Sequence, residues 1–199
     1  MNDLEIRLAG SGGQGVILAS VILAEAAVQA GKYTAQSQSY GPEARGGACK
    51  AETIVSEKPI GFTRVRKPGL LLVLTDSALK KYGPGIDENC LVIADESLEI
   101  PADLPAKKML RLPILKTARE EVGRLQTANV LSCGIINELL QIADRKSLEK
   151  AVLMHVPKGT ESINVKALDA GEALIRQEGL IRQEELIRQE ALIRQEAKA

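Results

Sequence analysis

Residues 9–15, AGSGGQG, separate a short alternating segment from a long apolar one, and this order leaves few folds open. Upstream, Leu4, Ile6 and Leu8 alternate with Glu5 and Arg7, the period of a strand. Downstream, VILASVILAEAAVQAG repeats apolar residues at helical spacing, is rich in Ala and Leu, and closes at Gly31. Strand, glycine turn and helix follow without a spare residue. Gly10, Gly12 and Gly15 have the spacing of a dinucleotide fingerprint, in which glycines permit a tight turn and close approach of backbone to ligand. The helix that follows opens with free N–H groups and a positive dipole end, suited to phosphate or carboxylate. The same turn also serves simply to pack strand against helix, so its spacing alone leaves both readings open.

The expected remainder is α/β. KYTAQSQSY reads as a second strand and ACKAETIVS as a third. The loop between them, SYGPEARGG over residues 39–47, is about nine residues long, too short for a parallel crossover, so these strands should run antiparallel. GLLLVLT and CLVIADE are continuous apolar runs, as in strands covered on both faces, and KMLRLPI adds another. Asp76 and Ser77 are candidate caps for the intervening helix, which the glycines at 83 and 85 end. KTAREEVG predicts one short helix, TANVLSCGIINELLQIA a longer one capped by Thr127, and SLEKAVLMHV a third starting at Ser147. The expectation is a Rossmann-like three-layer sandwich with a mixed, mostly parallel sheet, plus a long C-terminal helical extension. Its domains are residues 1–170 and a tail at 171–199.

In that tail a six-residue repeat, LIRQE plus one variable residue, recurs. Six residues at about 100° each turn successive leucines by roughly 120°, so Leu174, Leu180 and Leu186 share no heptad stripe. Glu172 to Arg176 and its three repeats are i,i+4 pairs in the favourable order. They predict a helix on the order of 35–40 Å long. Whether its apolar residues meet other chains or serve no partner stays open.

Composition removes several function classes. Lys plus Arg equals Asp plus Glu at 26 each, which gives no basic field for nucleic acid. One Phe, three Tyr and no Trp leave no stacking platforms for single strands and require an aliphatic core. No apolar run reaches membrane-spanning length, and no export signal precedes the first strand, so a cytoplasmic location is expected. Cys49, Cys90 and Cys133 are far apart in sequence, unlike cluster or zinc ligands, and no metal site is expected. His155, the only histidine, reads as a helix-end or packing residue. A nucleotide-binding Rossmann unit needs an acid near the end of its second strand to hold the ribose, yet Gln36, Ser37, Gln38 and Ser39 stand there.

AGSGGQGV and SYGPEARGG, a helix and a strand apart, together carry more than either alone. The combination resembles the gamma subunit, or gamma domain, of the 2-oxoacid:ferredoxin oxidoreductases. The likeness covers residues 3–170 and includes TANVLSCGIINELL, where Asn129 matches the family pattern. It implies a complex that oxidatively decarboxylates a 2-oxoacid to acyl-CoA and reduces ferredoxin. The 2-oxoacid would be pyruvate, 2-oxoglutarate, a branched-chain 2-oxoacid or indolepyruvate, with 2-oxoglutarate favoured by the look of the second loop. It further implies alpha, beta and delta subunits as partners. Thiamine diphosphate and Mg would sit between alpha and beta, and iron–sulfur clusters on delta and usually beta. None of these cofactors would be bound firmly by this chain, which would be inactive alone and have no catalytic residue of its own.

Two sets of residues are then candidates. Gly10, Ser11, Gly12, Gly13, Gln14 and Gly15 would receive an anion, with CoA the natural occupant and the Gln14 amide a donor. Tyr40, Gly41, Glu43, Arg45, Gly46, Gly47 and Asn129 would lie near substrate or at a subunit interface. Arg45 there either grips a carboxylate or phosphate or forms an ion pair between subunits. A stand-alone NADP oxidoreductase of Rossmann type and a non-catalytic scaffold subunit are the alternative readings.

Overall fold

The computed structural model describes residues 3–39, 47–106 and 108–196, with side chains as far as Gly179. Six strands form one sheet: β1 (Leu4–Ser11), β2 (Tyr33–Ser39), β3 (Ala48–Ser56), β4 (Leu70–Val73), β5 (Leu91–Asp95) and β6 (Lys108–Leu112). Their order is β2-β3-β1-β4-β5-β6. β1, β4, β5 and β6 pair in parallel, whereas β3 runs antiparallel to both β1 and β2. The mixed, mostly parallel sheet expected from the strand pattern is thus the one formed, and β2 and β3 are antiparallel as their short connection requires.

The helices are α1 (Val16–Gln29), α2 (Asp76–Tyr82), α3 (Ile114–Thr117), α4 (Ala128–Leu140), α5 (Arg145–His155) and α6 (Glu161–Glu196). One aliphatic core joins Ile6, Leu8, Leu70, Leu72 and Ile93 of the sheet to α1, α4, α5 and the first part of α6. A smaller core on the opposite face joins Ala9, Leu71, Val73, Val92 and Ala94 to Ala78 and Leu79 of α2. β4 therefore feeds both cores in alternation, which accounts for its unbroken apolar run. Complete burial of a Leu or Ile contributes about 1.5–3 kcal/mol.

β1 departs from simple alternation with a solvent face. Arg7 and Glu52 are each more than nine-tenths buried, with Arg7 Nε donating to Glu52 Oε1 at 2.7 Å. Lys50 Nζ donates to the same oxygen at 2.8 Å. The register sets this pairing, because Arg7 lies opposite Glu52 across the β1–β3 ladder. What reads as a polar surface is a covered ionic cluster.

Several helix ends also differ from expectation. Thr75 caps α2 by accepting from the Ala78 N–H, while Asp76 instead accepts from Glu99 N–H. α5 begins at Arg145 behind the cap Asp144, whose carboxylate takes the Ser147 N–H and O–H. KTAREEVG is not one helix: α3 passes into a π-helical turn, Ala118–Val122, ended by Gly123 at φ 91°. Thr127 stands at the start of α4, but its hydroxyl donates to Arg124 O at 2.7 Å and caps nothing.

The tail helix starts at Glu161, earlier than the repeat, and runs unbroken through residue 171. Leu174 and Ile175 pack against the main core, and Arg176 pairs with both Glu172 and Glu138. The remaining repeat pairs reach beyond the described side chains. α4 and α6 cross closely because glycines face backbone in both directions. A Cβ on Gly134 would meet Leu168 O at 2.4 Å, and one on Gly171 would meet Leu131 O at 2.1 Å.

Candidate functional site

The two glycine-bearing connections of the sequence meet at the C-terminal end of β1. Gly12 N donates to Gly47 O at 3.3 Å, and Ser11 pairs with Ala48 in the β1–β3 ladder. Tyr40, Gly41, Glu43, Arg45 and Gly46 lie outside the described residues, so of that loop's candidate residues Gly47 alone is placed.

The first loop is held by its own side chain. Gln14 Oε1 accepts from Ser11 N at 2.7 Å, so its amide carbonyl pins the turn. A Cβ on Gly10 would lie 2.5 Å from that same oxygen. Gly13 and Gly15 have φ of 96° and 70°, the left-handed region that glycine enters at least cost. Gly15 is the N-cap of α1, with no side-chain cap and no acid in the first turn. Among the described residues no side chain caps the first N–H groups of α1 or compensates its positive dipole end.

Asn129 sits directly behind this turn. Its Oδ1 accepts from Val130 N at 2.8 Å, and its Nδ2 points at Gly15 O at 3.5 Å. It is buried, and a Cβ on Gly15 would lie 2.4 Å from Nδ2. Asn129 thus locks the start of α4 against the glycine turn. The resemblance placed it near substrate or at a subunit interface; within the chain it is a hydrogen bonder at the start of α4.

Gly13, Gly15 and Asn129 line a cleft of about 200 Å³ whose other walls the sequence did not announce. Leu18, Arg124, Gln126, Thr127, Val156, Pro157, Thr160 and Asn164 complete it. They come from α1, the segment before α4, the α5–α6 turn and α6. The signals for them are local and weak: Gly123 breaks a helical pattern just before Arg124, and Asn164 is a poor helix former inside a helix. Next to this wall, His155 closes α5, and its Nε2 is buried without a hydrogen-bond partner among the described residues.

Among the described residues no acid stands at the end of β2 to hold a ribose. In a nucleotide-binding Rossmann unit the second strand lies beside the first, so its end reaches the glycine turn. In this chain antiparallel β3 intervenes, and β2 forms the sheet edge.

The cysteines do not suit a cluster. Cys90 belongs to the core on the opposite face of the sheet from Cys133 and from Cys49, which packs against the main core. Burial pushes the Cys90 thiol up to about 11, and burial raises Cys133 and Cys49 as well. Among the described residues no helix is long and apolar enough to cross a membrane.

The pyruvate ferredoxin/flavodoxin oxidoreductase family matches residues 5–174. The chain belongs to this family. Over 176 residues it is 43% identical to the 2-oxoglutarate synthase subunit KorC of Methanocaldococcus jannaschii, covering 87% of this chain and 94% of the relative. The gamma subunit of a keto/oxoacid ferredoxin oxidoreductase from Geobacter sulfurreducens superposes with a TM-score of 0.78 at 38% identity, covering 87% of this chain and 97% of that one. The 2-oxoglutarate:ferredoxin oxidoreductase of Magnetococcus marinus, solved with 2-oxoglutarate, coenzyme A and succinyl-CoA bound, shares the fold. Its TM-score is 0.78 at 21% identity, over 89% of this chain and 32% of that larger one. The family match ends within the first turns of the repeat tail, leaving most of the repeat outside it.

Proposed function

We propose that this chain is the gamma subunit of a 2-oxoglutarate:ferredoxin oxidoreductase, which converts 2-oxoglutarate and CoA to succinyl-CoA and carbon dioxide with reduction of ferredoxin. The observation that carries the reading is the joining of the two glycine loops at the uncapped start of α1, in a chain that matches a 2-oxoglutarate synthase subunit along nearly all of its length. Alpha, beta and delta subunits are its partners in the cytoplasm, and ferredoxin takes the electrons. On this reading thiamine diphosphate, Mg and the iron–sulfur clusters belong to the other subunits. No step of decarboxylation is assigned to its side chains.

Its own part is to hold CoA. The residues around the glycine turn fit an anionic ester: backbone N–H groups at a helix N-terminus receive phosphate, and the first turn of α1 carries no acid to oppose it. Gly10, Gly12, Gly13 and Gly15 keep side chains out of the way, and Ser11 and Gln14 hold the turn. A stand-alone NADP enzyme is disfavoured by the edge position of β2.

The test is purification of the tagged chain from its native cells, with mass spectrometry of its partners and a CoA-dependent viologen reduction assay. Recovery with thiamine-dependent, iron–sulfur subunits and a rate highest on 2-oxoglutarate supports the proposal. A rate highest on pyruvate or a branched-chain 2-oxoacid overturns the substrate, and recovery alone or with unrelated proteins overturns the subunit reading.

A further inference from the structure

We infer that Arg124 and Asn164 make the cleft beside the glycine turn a two-point subsite, one end for a phosphate ester and the other for the N–H of an amide joined to it. The inference rests on the reading of the glycine turn as a CoA site, and it assigns the cleft to the phosphate–pantetheine part of that molecule.

The phosphate end is built from two elements. The N-terminus of α1 reaches the cleft at Gly13 and Gly15 without a capping side chain. Facing it is Arg124, whose backbone is fixed at both ends: its N–H donates to Ala118 O at 2.8 Å, and its carbonyl accepts the Thr127 hydroxyl at 2.7 Å. The π-helical turn and left-handed Gly123 deliver the residue to this place. Its guanidinium has no ion-pair partner among the described residues. An exposed guanidinium without an ion-pair partner among the described residues is available to an anion.

The second end is independent of the first. Asn164 is more than nine-tenths buried and lines the cleft. Its Nδ2 is committed to Thr160, at 2.8 Å from the carbonyl and 3.0 Å from Oγ1. The Thr160 hydroxyl is itself spent on Pro157 O at 2.6 Å. Oδ1 of Asn164 is left without a protein partner among the described residues, so this wall offers an acceptor and asks for a donor. Leu18, Val156 and Pro157 also line the cleft, aliphatic and without an aromatic face. A purine would find no stacking surface there, whereas a branched aliphatic amide fits it. About 200 Å³ holds a phosphate and a few further atoms, not a whole coenzyme.

The experiment titrates the full-length chain, and the assembled complex, with CoA, ADP and pantetheine by calorimetry. R124A should weaken CoA and ADP at least tenfold and leave pantetheine unchanged, with R124K restoring part of the loss. N164A should weaken CoA and pantetheine several-fold and spare ADP, and N164D, which keeps the acceptor, should hold pantetheine better than N164A. R124A lies on the surface and folds in any case, so it decides if N164A does not. CoA bound equally well by wild type, R124A and N164A overturns the subsite while leaving the CoA reading intact. ADP bound through Arg124 with no binding of CoA overturns the coenzyme assignment. A loss of ADP rather than pantetheine in N164A overturns the amide end, and absence of all binding overturns both.

Discussion

Gly171→Ala should unfold this protein more easily, although alanine is the better helix former. A Cβ at residue 171 would stand 2.1 Å from Leu131 O, 3.0 Å from Leu131 C and 3.1 Å from Ile135 N. These are backbone atoms of α4 and cannot rotate away. Restoring ordinary contact of about 3.4 Å requires the helices to part by roughly 1 Å. A gap of that size forfeits a quarter to a half of each dispersion contact along the seam, which includes Leu131, Ile135 and Leu168. Overpacking of this kind costs about 1–3 kcal/mol and occasionally more, while the helix propensity of alanine returns about 1 kcal/mol. With backbone as the obstacle the upper end applies, for a net loss of about 2 kcal/mol. In a chain of this size that lowers Tm by about 4–8 °C. Gly179→Ala is the control: it lies on the same helix with nothing within 4 Å of its would-be Cβ. It should raise helix content by circular dichroism and leave the urea midpoint of the body unchanged. A G171A midpoint equal to wild type would refute the close-crossing argument.

Other outcomes follow from the same geometry. Gly13→Ala meets open space and should lose only the left-handed backbone cost, about 1–2 kcal/mol; Gly15→Ala adds displacement of Asn129 and its bond to Val130, about 0.5–2 kcal/mol more, with N129A relieving the excess in a double-mutant cycle by urea titration. Glu52→Ala strands buried Arg7 beside Lys50 and should cost about 3–5 kcal/mol, which chemical denaturation measures. Cys90 and Cys133, both buried with thiol pKa values raised by burial, should resist alkylation in the native protein and react on unfolding, as followed by mass spectrometry. The Ser147 N–H and O–H hold the Asp144 carboxyl below its ordinary pKa of 3.8. Its stabilisation is therefore complete above that ordinary value and lost as pH falls through the lowered one, so Asp144→Ala should flatten the acid limb of a Tm-against-pH curve.

Local patterning carried far into this fold. Leu4, Ile6 and Leu8 marked β1, the apolar runs marked β4 and β5, and the short 39–47 connection required β2 and β3 to be antiparallel. These features lie within one element or between neighbours in sequence, where spacing and loop length are decisive. The first motif loop was legible too, since glycine spacing reports backbone demands directly. Cap positions were read less well: Asp76 lost its expected role to Thr75 because its carboxylate was engaged by Glu99 N–H, from beyond β5.

What tertiary structure alone decided are pairings between residues distant in sequence. Arg7 and Glu52 look like two surface charges until the β1–β3 register sets them opposite each other and the packed sheet buries them. Gly134 and Gly171 look like two weak points in helices until α4 and α6 cross at their backbones. Arg124 and Asn164 carry no motif, and they share a cleft with Gly15 only because four separate segments converge there. Spacing along a chain reports the periodicity of one element. The contacts that complete a site depend on how elements pack, and burial in that packing gives an ordinary charge or amide its chemical weight.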